Sequence, residues 1–84
     1  MINAAVIEQA LRTQLARAQA SGARYVDINS GELHRELGGY PAPNHNMPTV
    51  CNVMNRLTNA ADKVVSEPPK GKGASLTIRY RLPR

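Results

Sequence analysis

The side chains best placed to do chemistry in this chain are amides and cations, and they gather in two stretches. In NMPTVCNVMNRLTN, residues 46–59, Asn52, Asn55, Arg56 and Asn59 recur at i, i+3, i+4 and i+7, the spacing of one helix face. An asparagine bonds adenine through two groups at once and an arginine does the same with guanine, so such a face can read base edges in a DNA major groove. In KGKG, residues 70–73, Lys70 and Lys72 alternate with glycine. A glycine-rich tip lets ammonium groups approach phosphates closely, as mobile point charges. Each stretch also has a plainer reading: a solvated helix side that happens to be rich in asparagine, and ordinary exposed loop lysines.

Catalysis finds less in the sequence. The acids occur singly, and Ser, His and Asp appear without the local signature of an activated nucleophile. Gly71 and Gly73 sit between two strand-like runs rather than between a strand and a helix, so they do not form a phosphate-binding glycine loop. No enzyme activity, catalytic residue or cofactor is expected. His34, His45 and Cys51 lack the spacing of a zinc site and have no fourth ligand, so no metal is expected either. Cys51 flanks the apolar side of its helix and reads as a small core residue. Asn44, His45 and Asn46 stand just ahead of that helix. They either meet phosphate or base edges at its N-terminus or cap the helix and brace the loop.

These groups need a body to hold them. Residues 2–22 read as a first helix, with Asn3 as N-cap, Ile2 and Ile7 spaced for a hydrophobic staple, an apolar stripe of Ile7, Leu11, Leu15 and Ala18, and Gly22 as the stop. Residues 25–28 alternate as a short strand. Asn29 or Ser30 then caps a brief second helix over 31–37, with Glu32 in capping-box spacing to Asn29 and with Leu33 and Leu37 on its buried side. The linker GGYPAPNH, residues 38–45, excludes helix and strand, and Pro41 and Pro43 stiffen it. Tyr40 within it either pins the linker to the body or stacks on a sugar or base. The third helix, 47–58, carries Pro48 in its first turn and buries Val50, Val53, Met54 and Leu57.

A strand over 63–67, centred on Val64 and Val65, ends at Pro68-Pro69. A second run, 75–82, places Leu76, Ile78, Tyr80 and Leu82 on one face and Ser75, Thr77, Arg79 and Arg81 on the other. Arg79 and Arg81 either extend a basic surface or pair with Glu67 and its neighbours across the hairpin. Arg56 either touches base or phosphate or joins a helix-surface pair. Tyr25, Tyr40 and Tyr80 are the sole aromatics, so the core is expected to need its tyrosines.

Length and charge narrow the setting. Eighty-four residues make one domain with a small core. Over residues 1–67, Arg12, Arg17, Arg24, Arg35, Arg56 and Lys63 cancel Glu8, Asp27, Glu32, Glu36, Asp62 and Glu67. The net charge of +5 therefore lies wholly in 68–84, with Lys70, Lys72, Arg79, Arg81 and Arg84 and no acid. A basic segment on a balanced chain suggests a polyanion partner, against the alternative of a basic surface kept for solubility. No apolar run approaches a membrane span, and the opening MINAAVIEQALRTQ lacks both a basic leader and an unbroken apolar block. No signal peptide is expected, and a single cysteine fits a reducing, cytoplasmic location.

The order of elements resembles the winged helix-turn-helix family over essentially the whole chain. The resemblance implies an α+β fold in a single domain, 1–84: three helices with a small three-stranded antiparallel sheet, in the order α-β-α-α-β-β. It implies a recognition helix at 47–58, entering a major groove, and a wing at 68–74 on the adjacent phosphate backbone. Asn44, His45, Asn46, Thr49, Asn52, Asn55, Arg56, Asn59, Lys70 and Lys72 would then contact DNA. The linker before the third helix is longer than the minimal turn of the family. The stretch GGYPAPNHNMP also looks like one found in small bacterial proteins and carries no activity with it. The expected function is a small double-stranded-DNA-binding protein, most simply a transcriptional regulator, gaining specificity as a homodimer or through a larger partner protein. The alternatives are an accessory DNA-recognition subunit of a phage or defence system and a winged-helix protein–protein adaptor. RNA binding ranks lower because exposed aromatics are few.

Overall fold

A computed structural model describes residues 3–37, 47–67 and 73–83. Helix α1 spans Ala4–Ala20, strand β1 Tyr25–Asn29, helix α2 Ser30–Glu36, helix α3 Met47–Arg56, strand β2 Lys63–Ser66 and strand β3 Thr77–Arg81. The chain is thus α+β, with three helices and an antiparallel three-stranded sheet in the spatial order β1-β3-β2.

The helix ends follow from local chemistry. Asn3 caps α1 by accepting the Val6 amide on its side chain at 3.0 Å, a bond worth about 1 kcal/mol to a helix. Ile2, the expected staple partner of Ile7, lies outside the described residues. Gly22 closes α1 in the left-handed conformation, φ 88°, and the amides of Gly22 and Ala23 reach back to the carbonyls of Gln19 and Ala18. Asn29 is the cap of α2, and its side chain accepts the Glu32 amide at 3.0 Å. This decides between Asn29 and Ser30, and moves the helix one residue earlier than the predicted 31–37.

The core is built from the stripe Ile7, Leu11 and Leu15 of α1, Leu33 of α2, Val50, Val53 and Met54 of α3, and the inner face of β3, with Leu76 and Leu82 flanking it. Tyr80 is buried at the centre and donates its hydroxyl to the Met54 carbonyl at 2.8 Å, past the end of that residue's own helical bonding. The alternation predicted for 75–82 holds, although the strand itself is shorter.

Two expectations about the helices need correction. Leu37 is only half-buried, and His34 joins Leu33 inside. A short helix packed on α1, α3 and β1 together is covered on more than one stripe. The third helix ends at Arg56 rather than 58, because Thr58 turns back and bonds the Asn55 carbonyl with its hydroxyl at 2.7 Å. Strand β2 is exposed throughout, Val64 at 44 % and Val65 at 47 %, and its ladder to β3 is broken by a bulge between Val64 and Ser66. As the edge strand beyond β3, it lies outside the helical cover.

A tight junction lies where 73–76 crosses the start of α2. Ser30 and Gly31 donate their amides to the carbonyls of Leu76 (2.8 Å) and Ala74 (3.2 Å). A Cβ added at Gly31 would stand 2.9 Å from the Ala74 carbonyl oxygen and 3.0 Å from its Cβ. Gly31→Ala is therefore expected to cost about 1–3 kcal/mol in chemical denaturation, the range for overpacking a close approach. Tyr80→Phe, which leaves the Met54 carbonyl buried without its donor, should cost about 1–3 kcal/mol in the same measurement.

Candidate nucleic-acid interface

Helix α3 is strongly two-sided. Met47, Val50, Cys51, Val53 and Met54 are buried, while Pro48, Asn52, Asn55 and Arg56 are exposed and Thr49 is half-buried. The predicted polar face of Asn52, Asn55 and Arg56 is thus presented outward on a helix whose other side is locked into the core. Asn59 does not extend that face. It sits past the helix end in a tight turn, where its side-chain oxygen accepts the Ala61 amide at 2.8 Å and its own amide donates to Asp62 at 2.8 Å.

Arg56 is engaged across the helices. Its guanidinium pairs with Glu8 of α1, which also pairs with Arg12 one turn along at 3.0 Å. The sequence allows a base or phosphate contact or a pair along the helix's own surface. The partner instead comes from the packing of α1 on α3. The hydrogen bond from Arg12, with Arg56 adding to it, holds the Glu8 carboxyl below its ordinary range.

Arg79 is also engaged, with Asp27 rather than Glu67. Its Nε donates to one carboxylate oxygen of Asp27 at 2.8 Å and its terminal nitrogen to the other at 3.2 Å. The register explains the choice, since β1 pairs Asp27 directly opposite Arg79. The two-pronged bond lowers the Asp27 pKa and raises that of Arg79.

Asn44, His45, Asn46, Lys70 and Lys72 lie outside the described residues, as does Tyr40 and most of the expected wing, 68–74. The described chain resumes at Gly73, and Gly73 is fastened to α3. Its amide donates to the Cys51 sulfur at 3.4 Å and its carbonyl accepts from the same thiol at 3.5 Å and from the Ser30 hydroxyl. Cys51 is a core residue, as expected, but it also ties the foot of the β2–β3 connection to α3.

One surface is absent from the expectations drawn from sequence. Tyr25 is exposed on the outer face of the sheet, and the Arg79 guanidinium carbon lies over its ring, 4.4 Å from the centroid. A signal for it exists: alternation in Tyr25-Val26-Asp27-Ile28 places Tyr25 and Asp27 together, opposite the buried Ile28. Among the described residues, no three His, Cys, Asp or Glu side chains gather as metal ligands, and no helix is long and apolar enough to cross a membrane.

The Glu8 cluster makes a pH-dependent contribution to stability. A carboxyl whose folded pKa is depressed stabilises the fold above its unfolded pKa, about 4.3 for Glu, and loses that contribution as pH falls through the folded value. Glu8→Gln should therefore lower the denaturation midpoint slightly at pH 7. The difference from the parent should vanish at a pH below the ordinary carboxylate range.

Compared with protein-family models, curated proteins and solved structures, the chain matches none, so its functional reading rests on its own residues.

Proposed function

We propose that the chain is a winged-helix DNA-binding protein, with α3 in a major groove and the 68–74 connection as a wing on the neighbouring phosphates. The observation that carries this reading is the Gly73–Cys51 tie. Lys72 immediately precedes Gly73 in the chain, and Gly73 is bonded to the residue next to Asn52. The stretch that carries Lys70 and Lys72 thus runs into a point fastened to α3, which supports reading the amides of the helix and the cations of the glycine-rich loop as parts of one duplex-binding surface.

Further support comes from the order of elements and from the exposure of Asn52 and Asn55, the groups that would bond adenine edges. Arg56 has a double role in this reading. Glu8 holds it at the helix surface in the free protein, and a phosphate or guanine would compete with the carboxylate for it. The DNA-facing set is accordingly Thr49, Asn52, Asn55 and Arg56 from α3, with Lys70 and Lys72 from the wing. Asn44, His45 and Asn46 would stand at the helix entry, and Asn59 is set aside as a turn residue. One such surface spans only a few base pairs, so selective binding calls for two copies or a larger partner. No bond-making chemistry is assigned to the chain.

Binding of labelled mixed-sequence duplex to the purified chain at low salt tests the reading. Micromolar binding that weakens steeply with salt is the expected result. Lys70→Ala with Lys72→Ala should weaken binding to all sequences alike and reduce the log–log salt slope by about 2, since each neutralised phosphate contributes about 0.9. Asn52→Ala or Asn55→Ala should change sequence preference, by about 1–3 kcal/mol at the base read. Absence of binding, or a lysine pair that proves neutral across the salt series, would overturn the assignment in favour of a protein-binding adaptor.

A further inference from the structure

The sheet has a second face, turned away from the helices. Cross-strand pairing sets Tyr25 opposite Arg81, Asp27 opposite Arg79 and Lys63 opposite Arg79. Directly opposed residues share a side of a sheet, so these five stand together, while Ile28, Ile78 and Tyr80 point into the core. Four of them, Tyr25, Lys63, Arg79 and Arg81, line an open depression of about 510 Å³ together with Arg24, Ala61 and Leu82. Four cations meet there against the two carboxylates Asp27 and Asp62. Among the described residues, neither Arg24 nor Lys63 enters an ion pair.

Tyr25 makes this more than a basic patch. It is 52 % exposed in a chain with three aromatic side chains, while Tyr80 is wholly buried. Asp27 grips Arg79 at two points, and Arg79 lies against one side of the Tyr25 ring. The ring is thus braced from one side by a cation.

We propose that this outer sheet face binds single-stranded nucleic acid, one unpaired base stacking on Tyr25 while Arg24, Lys63 and Arg81 meet the flanking phosphates. Sequence-tolerant binding of single strands combines these two components, a cationic track and an aromatic platform. A base inside a duplex is already stacked on its neighbours and cannot lie flat on the ring. An acidic peptide would satisfy the cations and leave the tyrosine without a role. The site is independent of α3, which lies across the core: Tyr80, on the inner side of β3, bonds the Met54 carbonyl of α3.

The test is fluorescence anisotropy of a labelled oligothymidylate of about ten nucleotides, long enough for one such site, with the full chain at low salt. Blunt duplex and polyglutamate serve as parallel probes. Oligothymidylate should bind, with Tyr25→Ala weakening it about tenfold and Tyr25→Phe staying within about twofold, the size expected of one stacked base. Arg24→Ala with Lys63→Ala should flatten the log–log salt slope by about 0.7 for each phosphate left without its cation, and Asn52→Ala should leave the binding unchanged. Amide resonances of Tyr25, Lys63 and Arg81 and the ring resonances of Tyr25 in the parent protein should shift on titration, a readout that does not depend on any variant folding. The proposal is overturned if oligothymidylate does not bind, if it binds without moving those resonances, or if Tyr25→Ala binds it like the parent. Equal affinity for polyglutamate would likewise overturn it and assign the face to acidic protein segments. Loss of strand binding with retained duplex binding separates this site from the α3 reading.

Discussion

One short crossing holds the molecule together. Residues 73–76 pass over the beginning of α2 and the middle of α3, and the polar groups at the crossing find partners in one another. The Gly73 carbonyl receives the Ser30 hydroxyl and the Cys51 thiol, and the amides of Ser30 and Gly31 are taken up by Leu76 and Ala74. Buried polar groups are costly when unmatched, so this pattern admits one seating of the strand on the helices. Gly31 is there because the backbone of residue 74 comes too close for a side chain. The angle of β3, and with it the whole sheet, follows from that seating. The polar side of α3 keeps its outward direction because Cys51 is part of the same knot.

Charge is distributed by tertiary pairing rather than by sequence block. The net positive charge lies in the last seventeen residues, yet one of its arginines, Arg79, is committed to Asp27 in the first half of the chain. Arg56 in turn draws on Glu8 of α1. Both pairs are solvent-exposed, so each adds little to stability in water. Their structural effect is orientation: one fixes a guanidinium over Tyr25, and the other holds a guanidinium at the junction of two helices.

Much of this is legible along the chain. Period-two alternation identifies Leu76, Ile78, Tyr80 and Leu82 as interior, and helical spacing does the same for Val50, Val53 and Met54, because burial on one side leaves a direct imprint on sequence. Caps at Asn3 and Asn29 are readable because their chemistry is local. The partners of Arg56 and Arg79 are not, since both lie about fifty residues away and depend on how elements pack. His34 is hidden for a related reason. Its burial comes from a seven-residue helix wedged among three neighbours, which no single-stripe pattern encodes. For the candidate site, the α3 amides are legible from spacing. The Tyr25 face needs the knowledge that β3 is the central strand.

The bulge in β2 has a consequence beyond the single molecule. An edge bearing two exposed valines is a natural template on which another chain can lay its own backbone, the first step toward fibrous growth. Between Val64 and Ser66 the repeat of donors and acceptors slips, so an incoming strand finds matching groups for only a residue or two before losing step. Lys63 at the start of the strand adds like-charge repulsion between copies. The irregularity thus works against an apolar border becoming a seam between copies.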